Sequence, residues 1–182
     1  MLDNFFLNNF DQQAATFFLA HRSPWGIKLF TIITFLGDWR FLLFLGLVIA
    51  LVLFLKKRKK FILPWALIAV GTEAIIFLVK IWFHRPRPLL AVFLENTFSF
   101  PSGHSAIALA FYGYLAYILL KLFNTQRLVI LISFSLLIAF IGFSRLYLGV
   151  HYLSDVLVGY LVGLIVLSLG IYFYRIPNNR RK

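Results

Sequence analysis

The sequence contains no cysteine, which excludes disulfide bonds, thiolate nucleophiles and cysteine metal sites. Charged residues are also scarce: they make up 13% of the chain, against roughly a quarter of an ordinary soluble domain. Only 6 residues are acidic, whereas 18 are lysine or arginine. Hydrophobic residues, by contrast, account for 62% of the 182 positions. This composition excludes a soluble globular domain and indicates a multi-pass membrane protein whose polar sites favour anions.

The net charge of +12 arises from basic clusters that flank apolar runs. They lie at residues 56–60, at Lys121 and Arg127, and within residues 175–182. Basic residues in such positions are typical of cytoplasmic loops, so we expect a bilayer as partner and no nucleic acid. The same rule places loop 83–101 and turn 144–155 together on the opposite, extracytoplasmic (periplasmic) face.

Five apolar runs have the length and composition of membrane-spanning helices: approximately 39–55, 61–82, 102–122, 128–143 and 156–174. Residues 3–20 are too polar to span, but their aromatic residues recur at helical spacing, which predicts an amphipathic helix in the membrane interface. A helix over 25–36 would be too short to cross unaided, so we expect it to be interfacial or half-inserted. A sixth, tilted span there is the alternative.

The sequence therefore predicts an all-α fold, a polytopic transmembrane helical bundle with five to six spans and an N-terminal amphipathic interfacial helix. We divide it into an amphipathic N-terminal segment, 1–36, and a transmembrane core, 37–182. The first residues lack the basic start and cleavage site of a secretory signal, so we expect the first helices to direct insertion.

Charged residues beside the apolar runs lie in three fragments, of which the first is Lys80 with Arg87-Pro88. Proline stops a helix, so the chain turns away from the second span here. Lysine supplies a point charge, and arginine supplies a planar fork that matches two phosphate oxygens. We therefore predict that Lys80 and Arg87 bind phosphate, with Arg85 as an accessory candidate; cations snorkelling at a helix end are the alternative.

The second fragment is Pro101-Ser102-Gly103-His104, directly before a long apolar run. It is predicted to form the first turn of the third span, where free backbone amides bind anions. Ser102 supplies a hydroxyl or a helix cap, and Gly103 lets an anion approach the backbone closely. His104 is a titratable ring that can donate a proton at this position. An ordinary helix cap is the alternative.

The third fragment runs from Ser144-Arg145 to His151 and Asp155. Residues four apart share one face of a helix, so we expect Asp155 to pair with one ring nitrogen of His151. That pairing fixes the tautomer and leaves the other nitrogen free to attack, while Arg145 adds a third cation. A purely structural pair is the alternative. Elsewhere, Glu73 lies within a spanning run, and we expect it to face the bundle interior in a structural or accessory role.

Taken together, the three fragments resemble the signature of the type 2 phosphatidic acid phosphatase superfamily, which includes compact bacterial membrane lipid phosphatases. The resemblance extends from Lys80 to Asp155, and every signature position is filled. It implies that His151 attacks phosphorus to form a phosphohistidine, with Asp155 holding its ring. His104 would protonate the leaving oxygen and then activate water. The resemblance further implies that the phosphate oxygens are held by Lys80, Arg87, Ser102, Gly103 and Arg145.

The resemblance implies a metal-independent enzyme with no cofactor and a lipid phosphate as substrate. Undecaprenyl pyrophosphate, phosphatidylglycerophosphate and phosphatidic acid are the candidate substrates, and charge alone does not distinguish them. Two alternatives remain: a non-catalytic protein that binds or translocates lipid phosphates, and a structural membrane scaffold. Oligomeric state is not indicated by the sequence.

Overall fold

The computed structural model describes residues 3–123 and 126–179, and these residues form seven α-helices joined by turns and one long loop. The helices are α1 (Asp3–Ala20), α2 (Pro24–Phe35), α3 (Trp39–Leu55), α4 (Ile62–Phe83), α5 (Gly103–Leu122), α6 (Arg127–Tyr147) and α7 (Leu153–Asn179). A short 3-10 turn, Lys59–Phe61, precedes α4. No strand occurs within the described ranges, and the all-α prediction is confirmed.

Four helices are long and apolar enough to cross a membrane, namely α4 with its preceding turn, α5, α6 and α7. A fifth span is available if α2 and α3 act as one broken span, since together they are also long and apolar enough, and they meet at an angle of 45°. Alone, the 12 residues of α2 measure about 18 Å, which is short of the hydrocarbon thickness. A sixth span therefore has no helix to form it among the described residues.

Local capping explains where the helices near the site begin. Ser23 accepts a hydrogen bond from the backbone N–H of Gly26, and Pro24 follows it in the first turn of α2. Asp38 caps α3 in the same way, and Ser102 caps α5. Helix α4 ends at Phe83. The next residue, His84, adopts a left-handed conformation with φ of 47° and terminates the helix two residues before Pro86.

Helix α5 is the centre of the bundle and packs against α3, α4, α6 and α7. It carries small residues along its length, among them Ala106, Ala108 and Ala110, which are fully buried. Two glycines of α7 lie against it: a Cβ on Gly159 would approach the carbonyl oxygen of Ser102 to 2.5 Å. This close packing aligns the beginning of α7 with the beginning of α5.

Helices α1 and α2 cover the outside of α6 and α7 at the end of the bundle where α5 and α7 begin. At the same end, α4 and α6 finish, and loop 84–102 crosses over from α4 to α5. The loop is fastened by backbone hydrogen bonds from Val92 to Leu148 at 3.0 Å and from Ser99 to Arg85 at 2.9 Å. All three charged fragments therefore meet at one end of the molecule.

Candidate active site

His151 lies in the turn between α6 and α7, and it is buried. Its Nδ1 faces Asp155 Oδ2 at 3.4 Å, and its Nε2 lies 3.2 Å from Nη1 of Arg87. A guanidinium only donates hydrogen bonds, so Nε2 is the accepting nitrogen and the ring proton belongs on Nδ1. This is the tautomer that leaves Nε2 able to attack.

The geometry of this pair differs from the sequence prediction in one respect. His151 and Asp155 do not share a helical face, because α7 begins only at Leu153 and His151 precedes it. The turn instead folds the ring back over the first turn of α7, helped by Gly149 with φ of 65°. At 3.4 Å the two side chains are close but not ideally hydrogen-bonded, and Nδ1 has no other partner among the described residues.

The charge state of His151 suits a nucleophile. Burial lowers its pKa well below the ordinary value of 6.5, and the charges of Arg145, Arg87 and Lys80 lower it further. The imidazole is therefore neutral at neutral pH, with a free electron pair on Nε2.

Asp155 is completely buried, and several donors fix the orientation of its carboxylate. Oδ1 accepts a hydrogen bond from Arg85 Nη1 at 2.6 Å. Oδ2 accepts from the backbone N–H of Tyr152 at 2.9 Å and from the hydroxyl of Ser99. These bonds hold Oδ2 toward His151 and make rotation of the carboxylate costly.

Arg87 and Arg145, both predicted to bind phosphate, converge on the carboxylate of Glu95. Arg87 Nη2 lies 2.7 Å from Oε2, and Arg145 Nη2 pairs with Oε1. Burial alone would raise the pKa of Glu95, but the charges of Arg145 and Arg87 outweigh burial and hold the pKa below its ordinary value. Glu95 is thus ionised, and it occupies the guanidinium donors that a phosphate would need.

Arg145 is almost fully buried, at 1% exposure, near the end of α6. Its Nη1 donates to the hydroxyl of Thr34 at 2.7 Å. Its Nε has no hydrogen-bond partner among the described residues, although buried polar groups are nearly always paired. One donor of Arg145 therefore remains for a ligand.

Lys80 and His104 complete the cluster from two neighbouring helices, α4 and α5. Lys80, in the last turn of α4, donates from Nζ to the carbonyl of Phe98 and lies within electrostatic range of Arg87 and Asp155. His104, in the first turn of α5, lies within electrostatic range of His151. The structure thus gathers around His151 the residues that the sequence predicted from separate fragments.

At the beginning of α5, the two predicted phosphate-binding residues differ in what they contact. Ser102 donates its backbone N–H to the carbonyl of Asp155 at 2.9 Å. We expected this amide to be free to bind an anion, and it is not. Its hydroxyl accepts from Ser105 Oγ at 2.9 Å. Gly103, by contrast, has an amide without an intrahelical acceptor, and a methyl there would come no nearer than 3.5 Å to Ile76. The protein's own packing does not require this glycine.

Glu73 does not face the bundle interior, and that prediction is wrong. The buried positions of α4 follow helical spacing at Trp65, Ile68, Thr72 and Ile76. Position 73 is about 100° around the helix from position 72, so its side chain falls outside the stripe and is exposed. Glu73 has no part in the mechanism proposed for this site.

Sequence reasoning missed several polar residues that contact the predicted ones, among them Asp11, Thr34, Glu95 and Ser99. The scarcity of acidic residues could have pointed to Asp11 and Glu95. With only 6 acidic residues against 18 lysines and arginines, each carboxylate is a candidate partner for a buried cation. Thr34 and Ser99 carried no such signal, since isolated hydroxyls are common in helices and loops. As for metals, no group of three or more histidine, aspartate or glutamate side chains in the described part of the chain is arranged to hold an ion.

Comparison with known proteins agrees with this arrangement. Residues 37–181 match the PAP2 superfamily. The chain is 38% identical over 154 residues to phosphatidylglycerophosphatase B of Bacillus subtilis (strain 168), an alignment covering 81% of this chain and 75% of the relative.

Two solved structures are also similar. A crystal structure of a transmembrane PAP2-type phosphatidylglycerolphosphate phosphatase from Bacillus subtilis superposes with a TM-score of 0.85 at 34% identity, covering 90% of this chain and 83% of that one. The crystal structure of Aquifex aeolicus LpxE gives 0.68 at 28% identity, covering 89% and 94%. The resemblance drawn from three short fragments is confirmed: the chain belongs to the PAP2 superfamily and is a membrane lipid phosphatase of that family.

Proposed function

We propose that the protein hydrolyses the phosphomonoester of phosphatidylglycerophosphate through a phosphohistidine intermediate. The observation that carries the mechanism is the ring of His151, which has one nitrogen toward Asp155 and the other within reach of the Arg87 guanidinium. The substrate is suggested by the similarity to phosphatidylglycerophosphatase B and to the solved phosphatidylglycerolphosphate phosphatase, both of Bacillus subtilis.

In the first step, Nε2 of His151 attacks phosphorus while the bond from phosphorus to the lipid oxygen breaks. His104 gives its proton to that oxygen, so the lipid leaves as a neutral alcohol. Asp155 stabilises the positive charge that develops on the His151 ring, because its carboxylate faces Nδ1. The products are a phosphohistidine and a dephosphorylated lipid.

In the second step, His104 accepts a proton from water, and the resulting hydroxide oxygen attacks phosphorus. The bond between phosphorus and Nε2 breaks, which returns the electron pair to His151 and releases inorganic phosphate. The same ring therefore serves first as acid and then as base. No electron donor or acceptor is needed, and all atoms of the added water appear in the products.

Fixed positive charge lowers the barrier of both steps. Arg87, Arg145 and Lys80 lie within electrostatic range of His151, and in this proposal they stabilise the negative charge on the equatorial oxygens of phosphorus. For this to happen, the carboxylate of Glu95 must give up its contacts with Arg87 and Arg145 to the incoming phosphate. Substrate binding is then an exchange of one anion for another.

The site is placed at the extracytoplasmic face in this proposal. Basic residues Lys56 to Lys60 lie at the opposite end of the bundle, between α3 and α4, in the position typical of a cytoplasmic loop. A pocket at the ends of the spans suits a substrate whose acyl chains remain in the bilayer while its phosphate reaches His151.

The test is phosphate release by the purified protein in detergent from a panel of lipids, with excess chelator present throughout. The panel contains phosphatidylglycerophosphate, phosphatidic acid and undecaprenyl pyrophosphate. We expect fastest turnover of phosphatidylglycerophosphate, no effect of chelator, and a loss of at least about 1000-fold in kcat for His151→Ala. Acid-labile radioactive phosphate on the wild-type protein, absent from His151→Ala, would identify the intermediate.

Each alternative predicts a different result. Preference for undecaprenyl pyrophosphate or phosphatidic acid would contradict the substrate. Loss of activity on chelation would contradict the metal-independent mechanism. A His151→Ala variant with undiminished phosphate release would contradict the nucleophile.

A further inference from the structure

A buried carboxylate outside the phosphate pocket lies on the N-terminal helix α1. Asp11 is only 2% exposed, although α1 otherwise presents large apolar side chains such as Phe10 and Phe17 to the outside. Its Oδ1 accepts from the backbone N–H of Ser154 at 2.8 Å, and its Oδ2 accepts from the Ser154 hydroxyl at 2.6 Å. Asp11 therefore holds α1 to the first turn of α7.

Asp11 also pairs with Arg85 of loop 84–102. Arg85 Nη2 lies 2.6 Å from Asp11 Oδ2, and Arg85 Nη1 lies 2.6 Å from Asp155 Oδ1. Burial alone would lower the pKa of Arg85, but Asp11 and Asp155 outweigh burial and raise the pKa, so the guanidinium stays charged. One planar cation thus joins a carboxylate of α1 to the carboxylate beside the nucleophile.

Arg85 is held firmly in this bridging position. Nη1 also donates to Ser154 Oγ at 2.7 Å, and the guanidinium lies over the ring of Tyr152 at 4.3 Å from the centroid. Since each carboxylate takes a different nitrogen of the fork, moving either carboxylate would misplace the other. The chain of contacts is continuous from Asp11 through Arg85 and Asp155 to His151.

The sharing of Arg85 by Asp11 and Asp155 affects how strongly Asp155 interacts with His151. If Asp11 were absent, Asp155 would be the one carboxylate paired with Arg85 among the described residues, and Arg85 would draw that carboxylate toward itself, away from His151. With Asp11 present, the guanidinium of Arg85 is shared between two carboxylates. Asp155 is then paired less strongly with Arg85 and interacts more strongly with the ring of His151.

We propose that Asp11 and Arg85 are positioning residues that orient Asp155 and, through it, His151, so that the amphipathic helix α1 is a working part of the active site. This inference rests on the proposed role of His151 as nucleophile. Neither residue touches the reacting phosphate in the proposed mechanism, so their removal should lower kcat and leave KM almost unchanged.

The experiment compares the full-length variants Asp11→Asn, Asp11→Glu and Arg85→Gln with the wild type, using phosphatidylglycerophosphate in mixed micelles. Asp11→Asn keeps the size and an acceptor for Ser154 but loses the charge. We expect kcat to fall about 10- to 100-fold, the range for a small misplacement of a reacting group, with partial recovery in Asp11→Glu. Gln13→Ala, on an exposed position of the same helix, is the matched control and should behave as wild type.

The pH profile provides a readout that a merely structural role would not move. The charged and titratable groups around the ring of His151 are Arg145 on α6, Lys80 on α4, Arg87 and Glu95 on loop 84–102, His104 on α5 and Asp155 on α7. All are retained in the variants. Removing the negative charge of Asp11 should shift the acid limb of kcat/KM to lower pH, and removing the positive charge of Arg85 should shift it to higher pH.

The outcomes separate this inference from the proposed function. Unchanged kcat in Asp11→Asn, or equal losses in Asp11→Asn and Gln13→Ala, would overturn the inference. So would lowered thermal stability with an unmoved acid limb and unchanged kcat per folded molecule. Full activity in His151→Ala would instead overturn the proposed function, whatever Asp11→Asn does. Opposite shifts of the acid limb in Asp11→Asn and Arg85→Gln would support the inference.

Discussion

Single residues of this protein differ in how directly they control phosphate binding, and Glu95 has the most direct position. Its carboxylate spans Arg87 and Arg145 and is 25% exposed, so it is reachable from outside the pocket. A charged group held by two guanidinium ions is an internal competitor of any anionic ligand. The affinity for phosphate therefore depends on how much more strongly the two arginines bind phosphate than they bind the carboxylate of Glu95.

We predict that Glu95→Gln strengthens phosphate binding. The amide cannot form an ion pair with either arginine, so inorganic phosphate should inhibit about tenfold more strongly, in line with the loss of hydrogen bonds to charged groups. The measurement is the inhibition constant of inorganic phosphate against lipid hydrolysis. Asn96→Ala, at the exposed neighbouring position, is the control. Weaker or unaltered inhibition in Glu95→Gln would contradict competition by Glu95.

At the scale of helices, the contact between α5 and α7 decides whether the site is assembled. His104 belongs to the first turn of α5, and Asp155 belongs to the first turn of α7. Both turns are brought together where Gly159 meets the backbone of Ser102. A backbone contact has no flexible side chain that could yield, so packing tolerance here is small.

We predict that Gly159→Ala destabilises the protein by about 1–3 kcal/mol, the usual cost of overpacking. The new methyl would lie 2.5 Å from the Ser102 carbonyl oxygen and 3.1 Å from Ser105 Cβ. Thermal unfolding in detergent measures the effect, and lipid phosphatase activity should fall with it. Gly71→Ala is the matched control, because the nearest atom to its new methyl, Val166 Cγ1, is 4.0 Å away. Equal stability of the two variants would contradict tight packing at Gly159.

At the scale of the whole molecule, all the polar side chains of the site lie at one end of the spanning helices. The basic residues between α3 and α4 lie at the other end. Because positively charged loops stay in the cytoplasm, this division predicts which end of the bundle meets the substrate.

The absence of cysteine makes the orientation directly testable. We predict that Asn96→Cys reacts with a membrane-impermeant maleimide on intact cells, whereas Arg58→Cys reacts only after the membrane is opened. Both positions are exposed in the structure, so access depends on the side of the membrane. The unaltered protein gives the background. Labelling of residue 58 and not residue 96 on intact cells would reverse the proposed orientation.

Much of the fold could be predicted because the formation of a membrane helix depends mainly on the hydropathy of its own short segment. The apolar run 39–55 became α3 with the same bounds, and the amphipathic segment 3–20 became α1. Some helix ends differ from the predicted ones, and at the start of α7 a distant residue contributes to the difference. α7 begins at Leu153 instead of residue 156, and there its first turn is satisfied by Asp155 and by Asp11 of α1.

The sequence by itself determined the spanning helices, the excess of positive charge and the motif residues from Lys80 to Asp155, since hydropathy and spacing are properties of short segments. Only the tertiary structure decided which side chains meet. Asp11 and Ser154 are 143 positions apart, and Arg145 and Glu95 are 50 apart. The outward direction of Glu73 likewise depends on how α4 is rotated. Such rotations and long-range pairs follow from the packing of all helices at once, which no short segment encodes.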